Sequence, residues 1–256
     1  GWRNTYLLIA AIVFVLLVIL PAFLVVNRPE DIGQVPDGDS DRSKNIAWPS
    51  EKGLFSTPVD FTASEALRTP AFWYLTIFGT AFTTAMQGFM MHQVAFLLDI
   101  NVASTMAAAA YSLFVGISVV GRLGMGFLAL KYPTRSLAIL SMLLLTMGMA
   151  LTLWARTLPM IIIYNCVIGV GFGASWVAQM NLMPLYFGRT HYPKIMGYAI
   201  PFMTVVGALG SPLAGWIRDA TGSYMTAWKV AIVILIIGLL SLILARMPVH
   251  ASLRQR

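Results

Sequence analysis

Long apolar runs broken by short polar intervals dominate this chain. A helix needs about 20 apolar residues, each rising about 1.5 Å, to cross a hydrocarbon core. Seven segments meet that length: 4–26, 71–97, 107–130, 136–154, 159–187, 195–217 and 227–246. The pattern predicts an all-α fold, a polytopic membrane bundle of seven transmembrane helices. The first run is too long and too evenly apolar for a signal peptide, and no small-residue cleavage site follows it. Pro21 should kink it near its end. The runs at 136–154 and 227–246 are mostly aliphatic, as lipid-facing helices should be. Those at 159–187 and 195–217 are richer in Gly, Asn, Gln, Ser and Pro, which suits a bundle interior.

One long polar interval, 27–70, separates the first two runs. It holds eight acids, five bases and four prolines before Pro70, with little periodic apolar pattern. It reads as a flexible cytoplasmic linker. Near its end, Thr62-Ala-Ser-Glu65 matches a capping box, which predicts a short helix through Arg68 with Pro70 leading into the second span.

Composition agrees with the periodicity. Hydrophobic residues make up 58% of 256 and charged residues 11%, too few for a soluble surface of this size. The net charge of +7 does not indicate nucleic acid, because the bases sit at span ends and form no patch with interleaved aromatics. It does set orientation. With the C-terminus inside, thirteen Lys and Arg fall on inner segments, counting Arg122 with its nearer end. Only Arg3, Arg156, Arg218 and Lys229 fall outside. The positive-inside rule therefore places the C-terminus in the cytoplasm and, with seven spans, the N-terminus outside. The chain begins Gly1-Trp2-Arg3 without an initiator Met and reads like a loop entering a span, so it is expected to be the C-terminal part of a longer protein. Cys166, the only cysteine, reads as a small core residue.

Arg122 changes the picture most. It sits in an otherwise uncharged stretch, Ser112 to Leu130, eight residues and about 12 Å from Lys131's end of the span. A charge at that depth normally faces a bundle interior or watery cavity and serves function. Its planar fork of donors fits a carboxylate. The plainer alternative is an arginine snorkelling to the cytoplasmic face. Gln87 lies mid-span with Thr80, Thr83 and Thr84 at helical spacing, as a polar cavity stripe or as inter-helical hydrogen bonding. His92 is in line with Ala81, Ala85 and Gly88, and either carries a proton or packs at a close helix contact. Asn165, Gln179 and Asn181 make the fifth span polar. Tyr198 offers a hydroxyl. Gly169-Val-Gly-Phe-Gly173 has no strand before it and reads as close helix packing rather than nucleotide binding. Gly207, Ser211 and Gly215 read the same way, with Pro212 permitting bending. No metal site or cofactor is expected.

Three stretches resemble the major facilitator superfamily, in its oxalate/formate antiporter and monocarboxylate porter branch. They are Asn27-Arg-Pro-Glu-Asp-Ile-Gly33 with the Pro36-Asp-Gly38 region, Gly121-Arg-Leu-Gly-Met-Gly-Phe-Leu-Ala-Leu-Lys-Tyr-Pro-Thr-Arg135, and Gly207-Ala-Leu-Gly-Ser-Pro-Leu-Ala-Gly-Trp-Ile-Arg-Asp-Ala-Thr-Gly-Ser-Tyr224. Their order covers nearly the whole chain. The resemblance implies spans six to twelve of a twelve-span transporter. Residues 1–26 would be the last span of the N-terminal half, 27–70 the cytoplasmic interdomain linker, and 71–256 the C-terminal six-helix half. The substrate site of such folds lies near the midplane between the halves. By resemblance, the second, third, fifth and sixth spans line it, and Arg122 stands where the branch has its carboxylate-binding arginine. The sequence departs from the branch at Ser118 and Leu130, where acids are usual. It also lacks the oxalate carriers' lysine in 195–217, which favours a monocarboxylate.

The function expected is secondary active transport of small organic anions, by alternating access in the cell membrane, multi-pass. The expected partners are a small carboxylate, the lipid bilayer and a missing N-terminal half, with no nucleic acid. The substrate-binding set is Arg122, Gln87, His92, Asn165 and Tyr198. A stand-alone half-size transporter acting as a dimer, and a seven-span receptor, are the alternatives. A retinal protein fails because Lys131 and Lys229 lie at span ends. An enzyme lacks its cluster: no HExxH, no Gly-x-Ser-x-Gly, and His92, His191 and His250 far apart.

Overall fold

The computed structural model describes residues 2–24, 60–188 and 190–248. Most of the expected linker, and the Asn27–Gly38 stretch, lie outside these residues. Contacts divide the chain into two units, Gly1–Glu51 and Lys52–Arg256.

The first unit holds α1 (Trp2–Phe14), a π-helical segment Val15–Ile19, and α2 (Leu20–Leu24). Pro21 has no N–H to give the Leu17 carbonyl, and the wide turn just before it absorbs that loss. The expected disturbance near Pro21 thus takes the form of a widened turn.

The second unit opens with the capping box. The Thr62 hydroxyl accepts from the Glu65 N–H at 3.3 Å, and the Glu65 carboxylate accepts from the Thr62 N–H at 2.8 Å. These bonds start α3 (Ala63–Leu67). Thr69 caps α4 (Pro70–Asp99), with Pro70 in its first turn, where no N–H is missed. There follow α5 (Ser104–Ala129), α6 (Thr134–Leu151) with a short 3₁₀ turn Thr152–Trp154, α7 (Leu158–Phe187), α8 (Tyr192–Ala208), α9 (Gly210–Thr221) and α10 (Tyr224–Leu244). The helices run up to four residues beyond the apolar runs at several ends. Caps and interfacial residues continue the hydrogen-bond ladder there after the hydrophobic pattern stops.

Six helical stretches are long and apolar enough to cross a membrane: Arg3–Ala22, Ser104–Ala129, Thr134–Trp154, Leu158–Phe187, Tyr192–Thr221 and Tyr224–Leu244. The seventh expected span lies in α4, which at 30 residues is long enough but carries too many Thr, Gln and His to join them on composition. That polarity fits its place. α4 packs on α8, α9 and α10 at the centre of the second unit, where side chains meet protein.

Glycines set the closest approaches. A Cβ on Gly169 would lie 2.9 Å from the Phe114 carbonyl of α5, and one on Gly173 would overlap the Ser118 carbonyl of the same helix. Gly171, between them, faces the other way, 2.6 Å from the Leu145 nitrogen of α6. The Gly169–Gly173 run therefore lets α7 seat against two helices at once. Small residues drive such packing where lipid gives no hydrophobic push. On the far side, the Gly210 position overlaps the Thr84 carbonyl, and Gly207 sits 2.6 Å from Thr83 Cγ2.

The sixth expected span carries a one-residue tightened turn at Leu209, whose N–H bonds to the Val206 carbonyl at 3.1 Å. Leu209 separates α8 from α9, and Pro212 cannot return a bond to Ala208. The end of α10 is tied down. Arg135 donates to the Ile243 carbonyl at 2.6 Å, and the Tyr186 hydroxyl donates to the Ala245 carbonyl at 2.9 Å. Both satisfy carbonyls that a helix end leaves open.

Candidate functional site

Arg122 lies seven residues from the end of α5, and its side chain is exposed. Helical side chains lean toward the N-terminus, which carries the guanidinium deeper into the span. It reaches the α7 side, where its Cζ stands 5.9 Å from the centroid of the Phe172 ring. Among the described residues it has no hydrogen-bond or ion-pair partner. Its backbone is fixed by the α5–α7 seam, because the Gly173 Cβ position lies 2.9 Å from the Arg122 nitrogen.

An aromatic floor lies beneath. Phe172 stacks on Phe82 of α4 at 5.7 Å, and Trp176 touches both rings, 6.1 Å from Phe172 and 6.2 Å from Phe82. Phe82 is fully buried, Phe172 nearly so, and Trp176 is 44% exposed. A bare cation over a ring is weakly held, by about 0.5–1 kcal/mol at exposed sites. An anion would hold it more strongly.

The other sequence-derived candidates do not gather around Arg122. Gln87 is half-buried and makes no hydrogen bond among the described residues. Its threonine companions bond mostly within their own helix. Thr80, Thr83 and Thr84 each donate to a carbonyl one turn back at 2.8 Å, and only Thr84 also reaches another helix, at the Val206 carbonyl 3.5 Å away. His92 packs at a close helix contact. Its Nε2 lies 3.0 Å from the Ser211 carbonyl and its Nδ1 3.1 Å from the Tyr224 hydroxyl. A carbonyl only accepts, so Nε2 donates to Ser211, while Nδ1 shares a hydrogen bond with the Tyr224 hydroxyl. Asn165 is fully buried, donating to the Ile161 carbonyl at 2.8 Å and accepting from Gln93. Tyr198 is 59% exposed on α8.

Sequence reading missed two features. One is the Phe82–Phe172–Trp176 floor, whose members are scattered over two helices. The other is the ion pair between Arg218 and Asp99, 3.2 and 3.3 Å through two oxygens, which joins the end of α4 to α9. Ser118, where the branch has an acid, is buried in the α5–α7 seam with its hydroxyl on the Val115 carbonyl. Among the described residues no three His, Cys, Asp or Glu come together to hold a metal.

The profile of the Major Facilitator Superfamily matches residues 73–256, which is most of the chain. The chain belongs to the major facilitator superfamily. A curated relative, monocarboxylate transporter 13 of Rattus norvegicus, is 29% identical over 150 residues, 58% of this chain and 35% of that protein. Among solved structures, a major facilitator transporter, FucP, crystallised in the outward conformation, matches with a TM-score of 0.62 and 13% identity, over 72% of this chain and 45% of that one. The likeness to FucP concerns the fold. The chain thus spans less than half the length of both, and its major facilitator match covers the whole second helical unit apart from α3 and the start of α4. It is a multi-pass membrane protein of transporter fold.

Proposed function

We propose that this major facilitator chain forms part of a secondary transporter of small organic anions, monocarboxylates in particular, working by alternating access. One observation carries the reading. Arg122 is a permanently charged fork inside a membrane-spanning helix, without an anionic partner among the described residues and resting on an aromatic ring. A substrate carboxylate supplies the missing charge and accepts two parallel N–H bonds. The partial likeness to a monocarboxylate transporter supports the same substrate class.

In this reading Arg122 binds the carboxylate, and Gln87 on α4 keeps a free amide for the substrate's other polar groups. His92 and Asn165 hold helices in place, because their polar atoms are already taken. Tyr198 lies on an open face of α8, positioned to meet whatever packs there. The turn at Leu209, followed by Pro212, is where α8 and α9 would bend relative to each other as access alternates. We place the protein in the cell membrane with its C-terminus in the cytoplasm, on the charge distribution of its loops.

The test is uptake by the full-length gene product of a labelled monocarboxylate beside its neutral amide. Saturable uptake of the acid alone supports the reading. Equal uptake of the amide, or none of either, sinks it.

A further inference from the structure

We infer that the surface beside Arg122 selects carboxylates that carry an aromatic ring. The inference rests on the carboxylate reading above and adds the chemistry of the substrate's other end.

Trp176 carries the argument. Two buried rings, Phe82 and Phe172, fix its indole from beneath, while 44% of the residue stays bare. Phe172 is the shared neighbour of Arg122 and Trp176, at 5.9 Å from the guanidinium carbon and 6.1 Å from the indole centroid. Charge and open ring are therefore one aromatic side chain apart. Arg122 comes from α5 and Trp176 from α7, and the Gly173 seam sets the spacing between those helices. The pair is held ready by buried structure before any ligand arrives.

A lipid-facing role explains Trp176 poorly. Its indole N–H has no acceptor among the described residues, and hydrocarbon offers none. A substrate that brings both an aromatic face and an oxygen acceptor satisfies the whole side chain.

The selectivity follows from geometry. Aromatic pairs sit with centroids about 4.5–7 Å apart, offset or edge to face. A carboxylate whose ring is a few bonds away holds Arg122 with one end and Trp176 with the other. A three-carbon hydroxy acid reaches only the arginine and leaves the indole bare.

The experiment measures uptake of labelled lactate and labelled 3-phenyllactate by the full-length gene product, and inhibition of each by the other. The expected result is half-inhibition by 3-phenyllactate at a concentration about tenfold below that of lactate. Trp176→Leu should bring that ratio close to one, and Trp176→Phe, which keeps a ring, should retain most of it. Equal potency of the two acids in the unmodified protein overturns the inference while leaving the carboxylate reading intact. So does a Trp176→Leu protein whose response to both acids falls in parallel, since a purely structural role predicts that. Saturable uptake of neither acid overturns both. Where Trp176→Leu does not reach the membrane, the ratio in the unmodified protein and in Trp176→Phe decides.

Discussion

Gly173 presents its bare Cα to the carbonyl oxygen of Ser118, so close that a Cβ there would overlap that oxygen and stand 2.9 Å from the Arg122 nitrogen. The seam between α5 and α7 is thus also the mount of the one charge that lies deep in α5. Gly173→Val should push α5 away and carry Arg122 with it. We expect uptake to fall at least several-fold, with a lower yield of folded protein. Gly124→Ala is the control. Its Cβ meets nothing within 4 Å, and alanine favours helix over glycine by about 1 kcal/mol. Uptake and yield close to the unmodified protein are expected there. Equal behaviour of the two variants would contradict the tight seam.

Asn165 and Gln93 form a buried pair between α7 and α4. Asn165→Ala removes a carbonyl that Gln93 needs, in a place water does not reach. Such bonds in membrane bundles are worth about 0.6–1.7 kcal/mol, so a modest drop in thermal midpoint in detergent is expected. Replacing both residues by leucine should cost less than the two single changes added together, because no unpaired amide remains. Strict additivity would contradict the pairing.

Asp99 and Arg218 join the ends of α4 and α9 on a partly exposed surface. Asp99→Arg alone and Arg218→Asp alone should each lower the thermal midpoint, and the exchanged pair should recover part of the loss. High salt should narrow the differences, since exposed pairs are screened. Singles and exchange behaving alike would show the pair to be idle.

Orientation has its own check. Fluorescent protein fused after Arg256 should fluoresce in a bacterial host, and alkaline phosphatase fused there should be inactive. The opposite pattern would place the C-terminus outside.

Much of this fold was legible because its signals are local. Thr62 and Glu65 lie three residues apart and cap their helix as read. Gly169 and Gly173 lie four apart and form a helix seam as read. Gly207, Ser211 and Gly215 lie four apart and pack on α4 as read, Gly207 against Thr83 and the other two against His92. What spacing did not show is that the tightest approach falls on Gly210, against the Thr84 carbonyl. Other features depend on pairs distant in sequence. Asp99 and Arg218 are 119 positions apart, and Phe82 meets Phe172 only after α4 and α7 pack together. The threonines of α4 show a third limit. Their spacing marks a stripe, but spacing does not reveal that each hydroxyl bonds to its own helix. For Arg122, sequence supplied the charge and its depth, while the ring beneath it and the open surface beside it required the packed helices.

The most direct test of the central claim is concentration-dependent uptake of a labelled monocarboxylate by the unmodified full-length gene product, Arg122→Gln and Arg122→Lys, at matched membrane levels. Loss of a charge-assisted, two-pronged contact should reduce uptake by Arg122→Gln at low substrate at least about tenfold. Arg122→Lys should fall between, because an ammonium keeps the charge but not the fork. Unchanged uptake by Arg122→Gln would contradict the account.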